Sequence, residues 1–302
     1  MLGVTIMTIT NKHNFPQAIV RAAESHNYTG DASDITASKL GQPPRLVALS
    51  KIHRHELSSD VSEMLPIILG QAVHSILENH APEGHLIEER LHTEVLDWSL
   101  SGQPDSLEFR DEALIDWKTT RVDAFQIKAR ESFREWTEQM NTYRFILKAN
   151  GIEVSSLAIS AFLVDWSPSV ALRQKDYPAH AMPQVPIEMW PLERTEAWIH
   201  ERVRLHQAAM ESLPLCSDSD RWKSDKWAVM VKGKKRALRV FDSPYEAEAF
   251  SKENPGSYVE IRAGQARRCQ LYCPVSKFCT QWASDPDNHQ EDLETLYGDS
   301  ND

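Results

Sequence analysis

Apolar residues recur at helical spacing in some segments of the chain and at alternate positions in others. One helical pattern runs from Ser58 to His80, and a longer amphipathic helix is predicted over Ala124–Ala149, ending at Asn150-Gly151. Three strand candidates lie between the two helices: Leu86–Leu91 with Thr93–Trp98, Gly102–Phe109, and Ala113–Lys118. A buried strand is predicted over Val154–Val164. The order helix, three strands, helix, strand indicates an α/β core of about 100 residues.

The segments on either side of this core differ from it in composition and in predicted secondary structure. The first 57 residues are polar and mixed, with a helix predicted over Asn14–His26 and a loop over Thr29–Pro44. After Trp166 many prolines precede a helix over Leu192–Leu213, and a hairpin around Lys232-Gly233-Lys234 precedes a helix near Pro244–Asn254. We therefore expect an N-terminal arm (1–57), a core (58–166), a helical and basic hairpin region closed by cysteines (167–282) and a disordered acidic tail (283–302).

Composition places the chain among soluble globular proteins. It has 302 residues, of which 41% are hydrophobic and 25% are charged. No run of eighteen apolar residues occurs, so we expect no contact with a membrane, and residues 1–10 lack the basic start of a secretory signal. The sequence thus predicts a cytoplasmic protein.

The net charge of −11 is unevenly distributed. Residues 283–302 contain seven acids and no Lys or Arg, and without these seven charges the net charge is −4. Residues 221–239 contain eight basic residues and one acid. The basic hairpin is therefore a candidate for contacting the DNA backbone through Lys232, Lys234, Lys235 and Arg236, with Trp222 and Trp227 able to stack on unpaired bases. A solvated charged hairpin is the alternative, and the tail is either a solubility tail or a competitor for this hairpin.

The residues that indicate chemistry are Asp105, in Ser101-Gly-Gln-Pro-Asp105, and Asp116 and Lys118, in Leu114-Ile-Asp-Trp-Lys118. Side chains two apart in a strand share a face, so Asp116 and Lys118 point the same way within an apolar strand. Two carboxylates can bind a hard divalent cation beside a phosphate, and an ammonium group can orient the attacking water. The alternative is a surface hairpin in which these charges are solvated.

Four further residues fit the same site. His74, in Gly70-Gln-Ala-Val-His74, lies on the helix before the strands, and Glu89 shares a predicted strand face with Ile87 and Leu91. Gln139 and Tyr143 lie one helical turn apart on the next helix and project together. Taken singly, each has an ordinary explanation: a packing or surface histidine, or the polar edge of an amphipathic helix.

In this order, these motifs resemble the RecB-type branch of the PD-(D/E)XK nucleases, over roughly residues 65–165. The resemblance implies a restriction-endonuclease-like core, in which a central mixed sheet is flanked by helices, with a cysteine-stapled C-terminal extension. It implies that His74, Asp105 and Asp116 bind Mg²⁺ or Mn²⁺, with the carbonyl of Trp117 as a further ligand. Lys118 would then serve the water, Glu89 would be a supporting carboxylate, and Gln139 with Tyr143 would position DNA or the lysine.

Four cysteines form a second pattern: Cys216, Cys269, Cys273 and Cys279. Because disulfides are disfavoured in the cytosol, a metal or cluster is the expected partner, and four thiolates suit zinc or iron–sulfur; unrelated free thiols are the alternative. The resemblance favours a 4Fe–4S cluster, as in the AddB subunit and the CRISPR-associated adaptation nuclease. The chain departs from that pattern because Cys216 follows the core and the first gap in the trio is three residues rather than two.

The resulting expectation is a metal-dependent DNA exonuclease that hydrolyses phosphodiester bonds at DNA ends, including single-stranded ends, in recombination, repair or phage DNA metabolism. The preference for exonuclease over endonuclease is implied by the resemblance alone. A non-catalytic DNA-binding or partner-binding module on the same fold is the main alternative, and a hydrolase acting on RNA or on nucleotides is a third.

Overall fold

The computed structural model describes residues 8–25, 33–87 and 89–288. The chain forms two compact units: unit 1 comprises the chain up to Gln42 together with Arg54–Ser212, and unit 2 comprises Pro43–His53 together with the chain from Leu213. No helix among these residues combines the length and the apolar character needed to cross a membrane.

The strands are β1 (Thr8–Thr10), β2 (Ile35–Thr36), β3 (Ser58–Asp60), β4 (His85–Ile87), β5 (Leu91–Val95), β6 (Trp98–Gly102), β7 (Ser106–Glu108), β8 (Ala113–Thr120), β9 (Ser156–Leu163), β10 (Gln184–Pro186), β11 (Lys226–Val231), β12 (Arg239–Phe241) and β13 (Ser257–Arg262). The helices are α1 (Gln17–Ser25), α2 (Ala37–Leu40), α3 (Pro44–Ile52), α4 (Leu65–Asn79), α5 (Val122–Arg130), α6 (Arg134–Ala149), α7 (Pro168–Ala171), α8 (Leu192–Glu211), α9 (Pro244–Glu253) and α10 (Thr280–Ala283).

Unit 1 is built on a mixed sheet with the strand order β10-β9-β8-β7-β4. The neighbours β8 and β9 are parallel and the other pairs are antiparallel. Both α4 and α6 contact β8, and α6 buries Met140 and Leu147 in the same core as Leu114 and Ile159. The predicted α/β core with a central mixed sheet flanked by helices is confirmed.

The N-terminal residues include part of this core. The predicted loop over Thr29–Pro44 was wrong from residue 33 onward, because it contains β2 and α2 and buries Ile35 and Leu40. β2 pairs in parallel with β6, which in turn pairs with β5 in a second sheet. The predicted helix from Ser58 was also wrong at its start, since β3 and a 3-10 turn precede α4.

The predicted strand Leu86–Leu91 was wrong as a single element. β4 pairs with β7 in the large sheet, whereas β5 pairs with β6 in the smaller one. The chain therefore passes from one sheet to the other between β4 and β5, and Glu89 lies in that connection with its side chain exposed. The expectation that Glu89 directs a carboxylate into the core was wrong for this reason.

The predicted helix Ala124–Ala149 consists of two helices, α5 and α6. Ser132 and Phe133 break it with φ values of 52° and 51°, in the left-handed region. The Phe133 ring stacks on Trp136 at a centroid distance of 5.1 Å and lies 5.4 Å from the ring of Phe125. Burial of this aromatic cluster offsets the cost of the strained turn.

Unit 2 contains the predicted basic hairpin. β11 and β12 are antiparallel, and the turn between them includes Gly233 at φ 84°, a value that glycine adopts without strain. β13, which was not predicted, pairs with the other side of β11, and α9 packs Ala247 against Val229 of β11. Of the acidic tail, residues 289–302 lie outside the described residues.

Candidate active site and cysteine cluster

Asp116 and Lys118 lie side by side on β8, as the alternation of the strand predicts. The Asp116 side chain is 1% exposed, and Lys118 Nζ lies 2.7 Å from Asp116 Oδ2. The ammonium group is close enough for an ion pair but does not meet the geometry of a hydrogen bond. Both carboxylate oxygens of Asp116 are buried, and neither accepts a hydrogen bond from any described residue. The Lys118 ammonium group offsets part of the charge of this buried anion, but two oxygens without hydrogen-bond donors leave it short of partners unless a further cation is supplied.

Asp105 follows β6 and directly precedes β7. It is 5% exposed, and its Oδ2 accepts a hydrogen bond from the backbone N–H of Trp117 at 2.5 Å. This bond fixes Asp105 to the backbone of β8 between Asp116 and Lys118. The two aspartates that the sequence placed on different strands are therefore neighbours.

His74 approaches the same strand from α4. A Cβ added at Gly70 would lie 3.3 Å from the hydroxyl of Thr119, so glycine lets the helix approach β8 closely one turn before the histidine. His74 Nε2 donates to the carbonyl of Trp117 at 3.1 Å, and Nδ1 lies 3.6 Å from Asp105 Oδ1. Donation from one ring nitrogen to a carbonyl is the usual arrangement of a metal-binding histidine. His74 and Asp105 thus both contact the strand that carries Asp116.

The electrostatics of this site are unfavourable without a cation. Burial, and after it the charge of Asp116, raise the pKa of Asp105 to about 8, even though His74 and Lys118 act in the opposite direction. The Asp105 carboxyl therefore keeps its proton at neutral pH unless positive charge is brought to the site.

The donor set suits a hard divalent cation. Within the described parts of the chain, no three Asp, Glu, His or Cys side chains already stand at the spacing of metal ligands. Magnesium does not need such a cage, because it commonly binds through one or two carboxylates and completes its shell with water and substrate phosphate. The two unsatisfied oxygens of Asp116 and the raised pKa of Asp105 both indicate that Mg²⁺ or Mn²⁺ would fit here.

Gln139 and Tyr143 interact with each other, as their spacing predicts. Gln139 Nε2 donates to the Tyr143 hydroxyl at 2.7 Å. The Tyr143 ring lies against Gly102, where an added Cβ would come within 2.8 Å of it. Gly102 ends β6 three residues before Asp105, so this tyrosine packs on the segment that positions the aspartate.

The four cysteines all belong to unit 2 and line one cavity. None of them forms a disulfide. Burial is the largest cause that raises the pKa of Cys216 to about 12 and that of Cys269 to about 11, and the other cysteines add to it. Gln281 holds Cys216 in place by bonding both its backbone N–H and its carbonyl. Without a metal the Cys216 and Cys269 thiols stay protonated at neutral pH.

A residue that the sequence did not single out adjoins this cluster. Arg45 on α3 is 4% exposed, and its Nε donates to Cys279 Sγ at 3.1 Å. The two residues are 234 positions apart, and no motif surrounds Arg45, so no sequence signal could have identified it.

Seven of the eight basic residues of 221–239 divide into two groups, and the eighth, Arg239, has its guanidinium over the Phe241 ring. Arg221 pairs with Asp218 and Asp285, Lys223 with Asp287, and Lys226 with Asp242. The residues of the hairpin turn are exposed and form no ion pair with any described residue: Lys232, Lys234, Lys235 and Arg236. The structure therefore leaves the turn, rather than the whole basic stretch, as positive charge accessible to a polyanion.

The two candidate stacking aromatics differ in exposure. Trp222 is 47% exposed, lies 5.4 Å from the Tyr272 ring and is covered on one side by the guanidinium of Arg268. Trp227 is half-buried and packs on the small core of α9 and β11. Of the two, only Trp222 presents much of its ring to solvent.

Comparison with known proteins gives one family match. A sequence model of the PD-(D/E)XK nuclease superfamily matches residues 79–280, which include both aspartates, Lys118 and all four cysteines. No curated protein matches the chain.

Among the solved structures with some likeness is that of SSO0001, with a TM-score of 0.46 and 15% identity over 68% of this chain and 88% of that one. Another is a phage-related exonuclease from Haemophilus somnus 129PT, with a TM-score of 0.29 and 14% identity over 65% of this chain and 81% of that one. A third is LHK-Exo in complex with dAMP, with a TM-score of 0.29 and 16% identity over 59% of this chain and 93% of that one.

Proposed function

The chain belongs to the PD-(D/E)XK nuclease superfamily, and from this we propose that it is a Mg²⁺- or Mn²⁺-dependent DNA exonuclease of the RecB-type branch. The observation that carries the proposal is the buried pair Asp105 and Asp116, held together by the backbone of β8 beside Lys118. A protein that only bound DNA would have no use for two adjoining buried carboxylates that destabilise it in the absence of a cation.

The proposed roles follow from the contacts. Asp105 and Asp116 hold the cation, with His74 Nδ1 and the Trp117 carbonyl beside them. When bound, the divalent ion polarises the scissile phosphate and offsets its charge. Lys118 is 27% exposed, so its ammonium group can reach both Asp116 and an incoming water, which it orients while offsetting charge on the phosphate.

Two roles implied by the resemblance are more limited. Tyr143 and Gln139 position the segment around Asp105, because the tyrosine packs on Gly102. Glu89 lies at the surface outside the strands. Its carboxylate can therefore support the reaction only by contacting bound DNA or a cation in the solvent, and not by joining the buried site.

The experiment that tests the function compares DNA substrates with and without ends. Purified protein is incubated with Mg²⁺ or Mn²⁺ and linear duplex, linear single-stranded, or covalently closed circular DNA. Shortening of linear DNA with intact circles is expected, whereas nicked or linearised circles would show an endonuclease. Binding of all three DNA substrates without cleavage under either metal would support the non-catalytic alternative. Cleavage of RNA instead of DNA would support a hydrolase that acts on RNA.

We propose that the basic turn of unit 2 contacts the phosphate backbone. Replacing Lys232, Lys234, Lys235 and Arg236 with serine is expected to weaken DNA binding in EDTA at all sequences alike. If all four contact phosphates, the slope of log affinity against log salt should decrease by roughly 3. Replacing Lys148 and Lys175, exposed lysines of unit 1, serves as the control and should leave the slope unchanged. An unchanged slope in the turn variant would mean that the turn is merely solvated.

The cysteine cluster is proposed to hold a 4Fe–4S cluster, with Zn²⁺ as the alternative. Its support is that four free thiols from two distant parts of the chain line a single cavity. Four thiolates are a complete ligand set for either centre, and because the four cysteines do not stand at the spacing of metal ligands in this structure, the proposed centre requires their side chains to converge when it binds.

A further inference from the structure

The four cysteines of unit 2 adjoin a buried arginine, Arg45. Arg45 is almost fully buried, and a guanidinium group stays charged in proteins. A buried cation is stable only when a paired anion offsets the loss of hydration. The partners of Arg45 therefore show what kind of group the site is built to hold.

Among the described residues, Arg45 forms hydrogen bonds with two carbonyls, a hydroxyl and a cysteine sulfur. Nη1 donates to the carbonyls of Leu213 at 3.3 Å and Pro214 at 3.2 Å, and Nη2 donates to the Thr280 hydroxyl at 2.7 Å. Nε donates to Cys279 Sγ at 3.1 Å. No carboxylate among the described residues pairs with it. The Cys279 sulfur is thus the partner of Arg45 that a bound metal would make anionic, because a metal-bound cysteine is a thiolate.

Other cations face the same cavity. Arg221 and Arg268 line it together with one acid, Asp220. Arg221 is already paired with Asp218 and Asp285. Arg45 therefore differs from Arg221, because its charge is not offset by an ion pair with a described carboxylate, and it would complement a metal centre whose thiolates carry excess negative charge.

We propose that Arg45 is the counter-cation of an anionic four-thiolate metal centre formed by Cys216, Cys269, Cys273 and Cys279. This inference rests on the cysteine centre proposed above. Arg45 is a positioning residue: its Nε donates to one ligand sulfur, while its other nitrogens fix the chain that leads to Cys216 and the start of α10 that follows Cys279. Both zinc and an iron–sulfur cluster with four thiolates are net negative, so the charge argument covers both.

The test uses the full-length protein and compares Arg45→Met with wild type in loaded and metal-free forms. Arg144→Met is the control, because Arg144 also donates to a backbone carbonyl, that of Trp190 at 2.8 Å, but has no cysteine partner. Each protein is stripped with a chelator, then loaded with Zn²⁺ alone or with Fe²⁺ and sulfide. Metal content, acid-labile sulfide and thermal midpoints are measured.

We expect opposite effects on the two forms. Arg45→Met should bind Zn²⁺ roughly 10- to 100-fold more weakly in chelator competition and lose iron–sulfur absorbance correspondingly faster. Its metal-free form should melt at the same temperature as wild type or higher, because an uncompensated buried charge is gone. Arg45→Lys keeps the charge without the planar set of donors, so its metal retention should lie between that of wild type and that of Arg45→Met. Arg144→Met should retain metal like wild type.

A purely structural role would lower both thermal midpoints equally and leave metal retention unchanged, and that result overturns the proposal. If Arg45→Met does not fold, Arg45→Lys decides: faster metal loss than wild type supports the proposal, and equal loss overturns it. Wild-type protein that takes up neither metal also overturns it. That failure is separate from failure of the nuclease proposal, which is assayed on DNA with Mg²⁺.

Discussion

Replacing Asp116 with asparagine will reduce Mg²⁺-dependent DNA cleavage by roughly 10³-fold or more while the protein stays folded. Asparagine keeps the shape of the side chain but removes the negative charge that would hold the cation. Because both oxygens of Asp116 are buried without hydrogen-bond partners and repel Asp105, the metal-free variant should unfold at the same temperature as wild type or higher. Activity and stability therefore change in different directions, which excludes unfolding as the cause of the lost activity.

Lys118→Met should produce a loss of similar size for a different reason. Its ammonium group lies 2.7 Å from Asp116, so methionine leaves the carboxylates in place but removes the group that orients water and offsets charge on the phosphate. Metal binding, followed by calorimetry with Mn²⁺, should persist in this variant and be weakened in Asp116→Asn. This difference separates the roles of the two residues.

The matched control is Asp123→Asn, an exposed aspartate at the start of α5 with a side chain 71% exposed. It changes the net charge as Asp116→Asn does, and it should cleave DNA like wild type. Each variant is assayed on the same end-labelled linear substrate over a range of Mg²⁺ and Mn²⁺ concentrations. Cleavage that survives in both Asp116→Asn and Lys118→Met would place the chemistry elsewhere and remove the basis of the proposed site.

The part of the site that depends on strand periodicity was predictable. A period of two places Asp116 and Lys118 on one face of β8 whatever surrounds the strand, and the ion pair confirms that geometry. The spacing of Gly70 and His74 is likewise local, since residues one turn apart on a helix face the same neighbour. The approach of Gly70 to Thr119 and of His74 to Asp105 is not local, and it could be expected only from the resemblance of the motif order to the nuclease family.

The parts that depend on distant packing were not predictable. The hairpin between β5 and β6 turns at Leu96 and Asp97, with φ values of 50° and 62°, where a glycine or asparagine would normally mark such a turn. Leucine gives no such signal, so two strands were predicted in the wrong places. Glu89 was misplaced because sheet membership changes between β4 and β5, and alternation within a segment contains no information about which sheet it joins.

The N-terminal residues show the same limit. Ile35 and Leu40 lie in a segment rich in Ser, Thr, Gly and Pro that has no periodic pattern, yet both are buried in the core of unit 1. Arg45 is only a few positions further along and belongs to unit 2. Two short segments whose contacts lie more than fifty residues away cannot be assigned from local composition, because their burial depends entirely on the partner surface.

The proposed cysteine centre predicts that replacing Cys273 with serine removes the metal of unit 2 and lowers the stability of that unit by several kcal/mol. Serine cannot provide a soft thiolate ligand, and burial raises the pKa of Cys216 and Cys269, so without the metal these two thiols return to the protonated state. Unit 2 then loses the link that joins Cys216 to the C-terminal trio. Iron, zinc and sulfide analysis of anaerobically purified protein, together with absorbance near ~400 nm, identifies which centre is lost.

Ser276→Ala is the control for this substitution, because Ser276 lines the same cavity but is not a ligand. It should keep its metal and unfold like wild type. The stability loss in Cys273→Ser should also disappear when both proteins are compared after chelation, since the thiol and the hydroxyl then contribute similar packing. A loss that persists between the two metal-free proteins would show that the cysteine acts through packing alone. In that case the cavity would be part of the core of unit 2 rather than a metal centre.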